Sequence, residues 1–551
     1  MKDSLKLMVR LVLALAFGAG AILLALELMD NIYEYRSPIS ESALIPGRSF
    51  GEPMGERVVF VLIDALRYDT SQKTEVMPFL NQLRNQGASA TMHSQTPSYS
   101  SPGYGTLLTG AWPYLNDAPA FNLDYEEFYP LTQDNIFSSA KRHGLRTAAS
   151  GFYWFEKLIP ADALDIGYFT PDEDQKADRQ VVDAALPWLE SDQYDLIFIH
   201  LDQVDYAGHR QGGAQGEGWN QAANRVDSLL AEIVAEMDFS KDVLVICSDH
   251  GQIDQGGHGG HDPITMIEPF VMVGSRIKPG VYEDIQMVDV APTLAALSGV
   301  NLPASTQGRV LTEMINMPRS TLSELKNETA RQQSKLLAAY ATAIGQALPE
   351  EATNADPNLT VVDYQTALKA MQQAKLNRER LIRFGIAALV LFVIILLVWQ
   401  MKPTAWWKLF LAAVLFTGLF HLSYVTFGQK LYSYSTVINS TQLILVNGVI
   451  TSIALAITLL LITFQNWIVM DFKQNFIKIL DIGLFIMLVT ALPLVAHMLW
   501  NGLFATWILP NLALHYLALL SLIQIFFIGV GLLILNVGGG IILITRGRKT
   551  G

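Results

Sequence analysis

Long apolar segments lie near both ends of the chain. Residues 8–29 form one apolar block that is about as long as a bilayer is thick. Its basic start and lack of a small-residue cleavage pattern favour a retained anchor over a removed signal peptide. Beyond Arg383, four or five further segments are long enough to cross: 384–401, 405–427, 441–465, 476–500 and 515–545. The pattern predicts an integral membrane protein with about six spans.

Between these ends, short apolar runs alternate with helix-type segments. The strand-type runs are 57–64, 145–150, 194–202, 242–249 and 268–274. Near-continuous Val, Ile and Leu predict strands covered on both faces, and therefore a mostly parallel sheet in an α/β layer fold. The predicted helices are 76–86, 132–143, 174–190, 219–237 and 289–298. No internal repeat is present.

The pattern divides the chain into four parts. Residues 1–29 are predicted to be an N-terminal transmembrane anchor, and 30–317 an α/β domain outside the bilayer. Residues 318–380 are polar and rich in helix-favouring residues, which predicts a helical stalk or linker. Residues 381–551 are predicted to be a C-terminal membrane domain of about five helices.

Flanking charges predict the orientation of the chain. Basic side chains precede the first span and follow the last, and cytoplasmic loops are enriched in Lys and Arg. With six spans, both ends are cytoplasmic and residues 30–380 are extracytoplasmic, outside the cell membrane or in the endoplasmic reticulum lumen of a eukaryote. Arg378, Arg380 and Arg383 lie on the opposite side from the one this scheme expects.

Charge and cysteine content narrow the function classes. The formal net charge of −13 argues against a nucleic-acid partner. The single cysteine, Cys247, lies inside a predicted strand, so the large domain contains no disulfide. A domain of this size has enough hydrophobic core to fold without one.

Acidic and histidine side chains follow the predicted strands. Asp64 ends the first strand, Asp202 and Asp205 follow the third, and Asp249 and His250 follow the fourth. Ligands of open α/β sheets bind at the carboxyl ends of the strands. Several carboxylates at one edge would be costly without a positive charge among them. The pattern therefore favours a metal site over a polar turn.

Four segments supply the chemistry: "LIDALRYD", "TPSYSSPGYGTLLTG", "LDQVDYAGH" and "SDHGQIDQGGHGG". Carboxylate and imidazole together favour zinc or manganese over calcium, which prefers oxygen ligands. Three aspartates and three histidines are enough for two ions with positions open for a nucleophile and a substrate. The candidate metal ligands are Asp64, Asp205, His209, Asp249, His250 and His258.

Together these segments resemble the alkaline phosphatase superfamily in its type I phosphodiesterase/nucleotide pyrophosphatase branch, most closely the GPI ethanolamine phosphate transferases. The resemblance covers roughly 55–310 and includes "DALR", "LLTG", "YDLIFIHLDQVDYAGH", "SDHG…GGHGG" and "SGFYWFEKLIP". Those transferases combine an N-terminal anchor, a lumenal catalytic domain and a C-terminal multi-span region. The resemblance implies an alkaline-phosphatase-like layered domain with a mostly parallel central sheet, plus an all-α multi-span membrane region.

The resemblance also implies two divalent metal ions, expected to be Zn²⁺ with Mn²⁺ as the alternative. One ion would be held by the nucleophile together with Asp64, Asp249 and His250. The other would be held by Asp205, His209 and His258. Two roles remain for His261 and Asp262: they are either hydrogen-bond partners of these ligands or alternative ligands. Three histidines match no motif position and are interpreted as structural: His93, His143 and His200.

The nucleophile implied by the resemblance is Ser100, which is also a metal ligand. It falls two residues before Pro102, where many relatives have threonine, and Ser98 and Ser101 are the alternatives. Asn122 lies where relatives place an asparagine that binds a phosphoryl oxygen.

The implied function is a membrane-bound, metal-dependent phosphotransferase or phosphodiesterase acting outside the cytoplasm through a covalent serine intermediate. Its substrate would be a phospholipid or glycolipid that carries a phosphoethanolamine-like group. The alternative is a hydrolase of nucleotides, phosphodiesters or phosphate monoesters that uses the spans only as an anchor. The number of C-terminal spans favours lipid substrates, although a membrane part much shorter than in the eukaryotic GPI enzymes leaves the acceptor open.

The sequence disfavours two further functions, an inactive transporter or scaffold and a sulfatase. The complete ligand set argues against an inactive transporter or scaffold. Sulfate esters are disfavoured because "SSPGY" lacks the arginine of the sulfatase motif.

Overall fold

The computed structural model describes residues 2–42, 44–400, 406–428, 430–437, 439–463 and 472–547. Within these residues, a nine-stranded sheet lies between the apolar ends of the chain. Its strands are β1 Arg57–Ile63, β2 Ala88–His93, β3 Thr147–Phe152, β4 Ile166–Thr170, β5 Leu196–Leu201, β6 Asp242–Cys247, β7 Ile267–Gly274, β8 Gly280–Val281 and β9 Ile285–Gln286. The strand order is β4-β3-β5-β1-β6-β7-β2-β8, with β9 paired to β2.

Parallel pairing dominates the half of the sheet around β1. Strand β1 lies between β5 and β6 and is parallel to both, and β3 is parallel to β5 and β4. Strand β7 runs antiparallel to β6 and β2. The mostly parallel sheet and the α/β fold class are therefore confirmed. A strand is also predicted near Ala90, and β2 lies there. Strands β4, β8 and β9 lie outside the predicted set; β4 is an edge strand, and β8 and β9 have two residues each.

Helices cover both faces of the sheet. Phe60 and Leu62 of β1 belong to a buried cluster with Tyr104 and Leu294, whereas Val61 belongs to another cluster on the opposite face. The alternation follows from the period of two in a strand, and it makes a three-layer core. The helices of this part are Tyr68–Ser71, Pro78–Gln86, Ser100–Thr109, Pro113–Asn116, Ile136–Arg142, Phe155–Leu158, Gln175–Glu190, Gln203–Arg210, Glu217–Ala235 and Val290–Leu297.

The segment 318–380 is helical and packs on the sheet domain. It contains Arg319–Ala343, Glu350–Thr353 and the start of Val361–Gln400. The Gln332 side-chain amide donates to the carbonyls of Ala304 and Thr306 at 2.8 and 2.9 Å. The boundary at 317 stays a prediction.

Five described stretches are long and apolar enough to cross a membrane: Ser4–Tyr33, Trp406–Thr426, Ser440–Thr463, Gln474–Trp500 and Leu512–Gly538. The prediction of an integral membrane protein is confirmed. The helices themselves are Lys2–Tyr33, Trp406–Thr426, Ser440–Thr463, Phe472–Thr490, Leu492–Trp500 and Leu512–Gly547. The predicted span 384–401 falls on the helix Val361–Gln400, and its last residue and many of its side chains lie outside the described residues.

Small residues bring the first and last of these helices together. A Cβ atom added to Gly529 would lie 3.3 Å from the Cα atom of Gly18. Such close backbone approach is typical of helix pairs in membranes, where packing rather than the hydrophobic effect drives association.

Candidate active site

Three adjacent strands deliver the predicted ligands to one edge of the sheet. Asp64 follows β1, and Asp249 and His250 follow β6. Asp205 and His209 lie on the helix Gln203–Arg210 that begins after β5. Because β5, β1 and β6 are neighbours and parallel, their carboxyl ends meet, as expected for a ligand site in an α/β sheet.

The first cluster consists of Asp64, Asp249 and His250. Ligand atoms of these buried residues lie within 4.8 Å of one another. His250 Nε2 is 3.5 Å from Asp64 Oδ1 and 3.3 Å from Asp249 Oδ2. Both of these carboxylate oxygens are buried and lack a hydrogen-bond partner among the described residues. Buried acceptors of this kind are costly unless something positive binds them.

The second cluster consists of Asp205, His209 and His258, with His250 at its border. Asp205 Oδ1 lies 3.4 Å from His258 Nε2, and Asp205 Oδ2 lies 3.4 Å from His209 Nε2. The ligand atoms of Asp205, His250 and His258 also lie within 4.8 Å of one another. All six predicted ligands therefore come together in two adjoining groups.

Backbone carbonyls set the tautomers of two histidines. His250 Nδ1 donates to the carbonyl of Gly251, and His258 Nδ1 donates to the carbonyl of Ser98, each at 3.1 Å. Each Nε2 therefore turns a lone pair into the cluster, as a metal ligand must. His258 Nε2 also lies 3.0 Å from His209 Nε2, a contact between ring nitrogens that a proton or a cation must bridge.

Burial controls the electrostatics of the clusters. Burial, and then the charge of Asp205, raises the pKa of Asp64 well above its ordinary value; burial and then Asp64 do the same for the pKa of Asp249. Burial also lowers the pKa of His258 to about 4. For Asp205, the three nearby histidines outweigh burial and lower the pKa. The residues present fit divalent cations, because Asp64 and Asp249 each have a buried carboxylate oxygen without a partner among the described residues, and a cation would stabilise their charged form.

Ser100 faces the first cluster. It begins the helix Ser100–Thr109, and its Oγ lies 3.1 Å from His250 Nε2. The Asn122 side chain bridges the same turn: its Nδ2 donates to Ser100 Oγ at 3.4 Å and its Oδ1 accepts from the Ser101 amide at 3.1 Å. Ser98 instead bonds the Gly260 carbonyl at 3.1 Å. The predicted hydroxyl-rich turn is thus a helix N-terminus, a position that favours anions.

Two residues outside the predicted site fix Asp64. Tyr104 and His200 both bond Asp64 Oδ2, His200 Nε2 at 3.1 Å, which leaves Oδ1 to the cluster. The Phe152 amide donates to His200 Nδ1 at 3.4 Å, so Nε2 carries the hydrogen and donates to Asp64. His200 therefore positions a predicted ligand, and its interpretation as a structural histidine stays a prediction. No local sequence signal marks Tyr104.

Asp202 and Gln252 lie beside the second cluster. The Gln252 side-chain amide donates to Asp205 Oδ1 at 2.5 Å and to the Asp205 carbonyl at 3.1 Å, which fixes that carboxylate. Asp202 groups with Asp64 and His200 within 4.8 Å. The position of Asp202 at the end of a predicted strand indicates from the sequence that it lies near the site. For Gln252, the sequence gives only its place in the "SDHGQ" motif.

The family described as type I phosphodiesterase / nucleotide pyrophosphatase matches residues 58–356, which is more than half of the chain. The chain belongs to this family. Family membership and the sheet topology confirm the predicted alkaline-phosphatase-like domain.

Curated relatives match the same region. GPI ethanolamine phosphate transferase 2, catalytic subunit, from Homo sapiens is 28% identical over 279 residues, which cover 47% of this chain and 28% of the relative. GPI ethanolamine phosphate transferase 3, catalytic subunit, from Homo sapiens is 26% identical over 335 residues, 54% of this chain and 30% of the relative. The chain spans about a third of the length of the curated relatives it matches.

Solved structures give more distant matches. Human ectonucleotide pyrophosphatase / phosphodiesterase 5 is 14% identical with a TM-score of 0.41, covering 47% of this chain and 100% of that chain. A 2-O GAG sulfatase is 14% identical with a TM-score of 0.39, covering 48% of this chain and 74% of that chain.

Proposed function

We propose that this protein is a membrane-bound, metal-dependent phosphotransferase that moves a phosphoethanolamine-like group from a lipid through a covalent intermediate on Ser100. The observation that carries the proposal is the 3.1 Å approach of Ser100 Oγ to His250 Nε2, at the border of the two clusters. Membership of a phosphodiesterase family supports phosphoryl-group chemistry. The names of the curated relatives support phosphoethanolamine as the transferred group and a glycolipid as the substrate.

Two divalent cations, Zn²⁺ or Mn²⁺, would be held by the two clusters, with Ser100 as a further ligand. When bound, such ions lower the pKa of a coordinated hydroxyl and neutralise charge on phosphoryl oxygens. Around them the chain's own residues position the ligands. Gln252 orients Asp205, and Tyr104 and His200 orient Asp64.

The proposed transfer has two displacements at phosphorus. Ser100 loses its proton, its Oγ bonds to phosphorus, and the bond to the lipid alkoxide breaks, so that the alkoxide leaves and takes up a proton. The acceptor hydroxyl then bonds to phosphorus and loses its proton, and Ser100 is released and reprotonated. The Asn122 amide, which donates to Ser100 Oγ, is placed to donate to a phosphoryl oxygen. The amides at the start of Ser100–Thr109 favour the same negative charge.

The alternative outcome is hydrolysis, in which water takes the place of the acceptor. The family description includes nucleotide pyrophosphatases, so nucleotides and phosphate monoesters belong in the same test.

The test uses the full chain purified in detergent. Turnover of p-nitrophenyl phosphodiester, monoester and nucleotide substrates is measured beside that of phosphatidylethanolamine, with and without an acceptor alcohol. We expect diacylglycerol release and phosphoethanolamine transfer that depend on the acceptor and are lost in Ser100→Ala. The matched control Ser298→Ala removes another buried hydroxyl, remote in sequence, and should retain turnover. Turnover of nucleotides without lipid would favour the hydrolase, and metal-loaded protein inactive on every substrate would contradict the proposal.

A further inference from the structure

An apolar groove runs between three membrane helices and ends beside the site. Lys2–Tyr33, Ser440–Thr463 and Leu512–Gly547 form its walls, and it encloses about 640 Å³. Tyr99, Phe121 and Asn122 of the sheet domain close one end. The volume lies within the roughly 300–1,000 Å³ of small-molecule sites.

The end of the groove that the sheet domain closes lies next to the candidate active site. Ring centroids are 5.4 Å apart between Tyr434 and Phe121, 4.7 Å between Phe121 and Tyr99, and 5.6 Å between Tyr99 and His258. Asn122, which lines the groove, donates to Ser100 Oγ at 3.4 Å. A molecule whose apolar part fills the groove can therefore place its polar end at Asn122, the lining residue that contacts Ser100.

A second cavity joins the groove at this end. It encloses about 690 Å³ and shares Asp30, Tyr33 and Asn122 with the groove. Among the described residues of its lining, Arg36 is the one basic residue, and its guanidinium already binds Asp117 at 2.5 and 3.1 Å. The acidic residues of the lining are Asp30, Glu34, Asp124 and Glu127. This excess of negative charge favours a cationic group and disfavours an anion.

We propose that the two cavities form the binding site of the lipid donor, a glycerophospholipid with an ammonium headgroup. Its acyl chains lie in the groove between the three helices, its phosphate lies at Ser100 and Asn122, and its ammonium lies in the acidic cavity. The inference rests on the proposed function and adds to it where the acyl chains bind and which residues hold the headgroup. It also explains why the chain has several membrane helices, since one helix would be enough to anchor the catalytic domain at the bilayer.

Two tryptophan variants on one helix test the groove. Ile444 lines the groove and is 45% exposed, so Ile444→Trp fills the groove without disturbing a buried core. The control is Ile453→Trp: Ile453 is 54% exposed and lies nine residues further, on the opposite face of the helix. We expect Ile444→Trp to lower kcat/KM for phosphatidylethanolamine by about tenfold or more, while a soluble p-nitrophenyl phosphodiester is turned over as before. Ile453→Trp should leave both unchanged.

A second readout does not depend on turnover. The full chain in detergent is photolabelled with a phosphatidylethanolamine that carries a diazirine in its acyl chain, and the labelled peptides are mapped. We expect labelling on the groove-facing parts of the three helices, loss of that labelling in Ile444→Trp, and competition by unlabelled phosphatidylethanolamine but not by phosphatidylglycerol. Equal labelling of Ile444→Trp and Ile453→Trp, or equal competition by the anionic lipid, would overturn the inference.

The two readouts separate failure of the inference from failure of the proposed function. Absence of turnover on the soluble phosphodiester counts against the proposed chemistry. In that case photolabelling still tests whether the lipid binds in the groove. An equal fall in turnover of both substrates in Ile444→Trp would make the groove a structural element and overturn the inference.

Discussion

The Ser433 hydroxyl donates a hydrogen bond to Asp262 Oδ2 at 2.5 Å, although 171 residues separate the two. Ser433 lies between the membrane helices Trp406–Thr426 and Ser440–Thr463, and Asp262 lies at the end of the glycine-rich loop that carries His258. In the same contact, Ser435 Oγ accepts from the Gly260 amide at 3.1 Å. The membrane region therefore holds the loop that supplies a predicted metal ligand.

This contact leaves no room for a side chain at Gly260. A Cβ atom there would lie 1.8 Å from Ser433 Oγ. We expect Gly260→Ala to push the loop away and to lower both metal content and turnover, and Ser433→Gly to restore part of the loss in the double variant. Metal analysis and phosphodiester assays check this.

The matched control for this prediction is Gly385→Ala, since no atom of the described part of the chain lies within 4 Å of a Cβ atom at Gly385. It should behave as the unsubstituted protein. Full metal content and activity in Gly260→Ala would contradict a fixed loop.

The two clusters predict a metal stoichiometry that depends on named ligands. Asp249→Ala removes a buried carboxylate with an unpaired oxygen, and His209→Ala removes an imidazole from the other cluster. Each variant should lose about one equivalent of metal and most of its turnover. His93→Ala, which removes a histidine bonded to Asp284 at 2.8 Å outside the clusters, should lose neither. Inductively coupled plasma analysis of the purified proteins measures the number of metal ions bound per chain. Unchanged stoichiometry in both cluster variants would reject the assignment.

The buried strands β1, β3, β5, β6 and β7 and the convergence of the six candidate ligands were predictable because their signals are local. Each ligand lies within a few residues of a strand end or inside a short motif, and buried strands have near-continuous apolar sequences. The antiparallel direction of β7 was not predictable, since a central strand buried on both faces has the same apolar pattern in either direction.

Contacts between segments that are distant in the sequence could not be predicted either. Tyr104 reaches Asp64 across 40 residues, and nothing near Tyr104 indicates its partner. The same holds for Ser433 and Asp262. Such pairs depend on how the layers pack, which periodicity does not encode.

The orientation of the catalytic domain is a separate prediction. Cys247 is fully buried, so an exposed cysteine introduced at Asn354 supplies the site for a membrane-impermeant thiol reagent. We expect Asn354→Cys to be labelled from outside intact cells, because the flanking charges place residues 30–380 there. For a protein located in the cell membrane, labelling that requires permeabilised cells would reverse the topology.

Asp289 gives the sheet domain a specific pH dependence. Burial raises its pKa to about 6, although the amides of Gln286 and Arg309 donate to it at 3.0 and 2.9 Å and lower it. The folded state therefore binds more protons than the unfolded state between about pH 4 and pH 6, and stability falls as pH rises through this window. The nearby charges of Arg309 and Glu313 act in opposite directions.

The shift corresponds to a change on the order of 2–3 kcal/mol in the free energy of unfolding. Asp289→Asn lacks the ionising group, so its stability relative to the unsubstituted protein should rise across the same window. Thermal unfolding in detergent, followed by tryptophan fluorescence at several pH values, measures this difference. A difference that does not change with pH would contradict the role given to Asp289.

The register of the serine segment makes a prediction of its own. Ser100→Ala should keep its metals, because the six other ligands remain, while turnover falls on the order of 10³-fold or more. Ser100→Thr should retain some activity, since threonine keeps the hydroxyl. Ser98→Ala should keep far more turnover than Ser100→Ala, because the Ser98 hydroxyl bonds the Gly260 carbonyl and the Gly259 amide rather than facing His250. An active Ser100→Ala beside an inactive Ser98→Ala would place the nucleophile two residues earlier.

The most direct measurement is to trap the covalent intermediate. The full chain is mixed with a phosphodiester substrate, quenched rapidly in acid, digested, and mapped by mass spectrometry. We expect a substrate-derived phosphoryl group on Ser100, absent in Ser100→Ala and absent when metal is removed by a chelator. Turnover with no modified residue at any quench time, retained in Ser100→Ala, would contradict the serine nucleophile and favour direct attack by water.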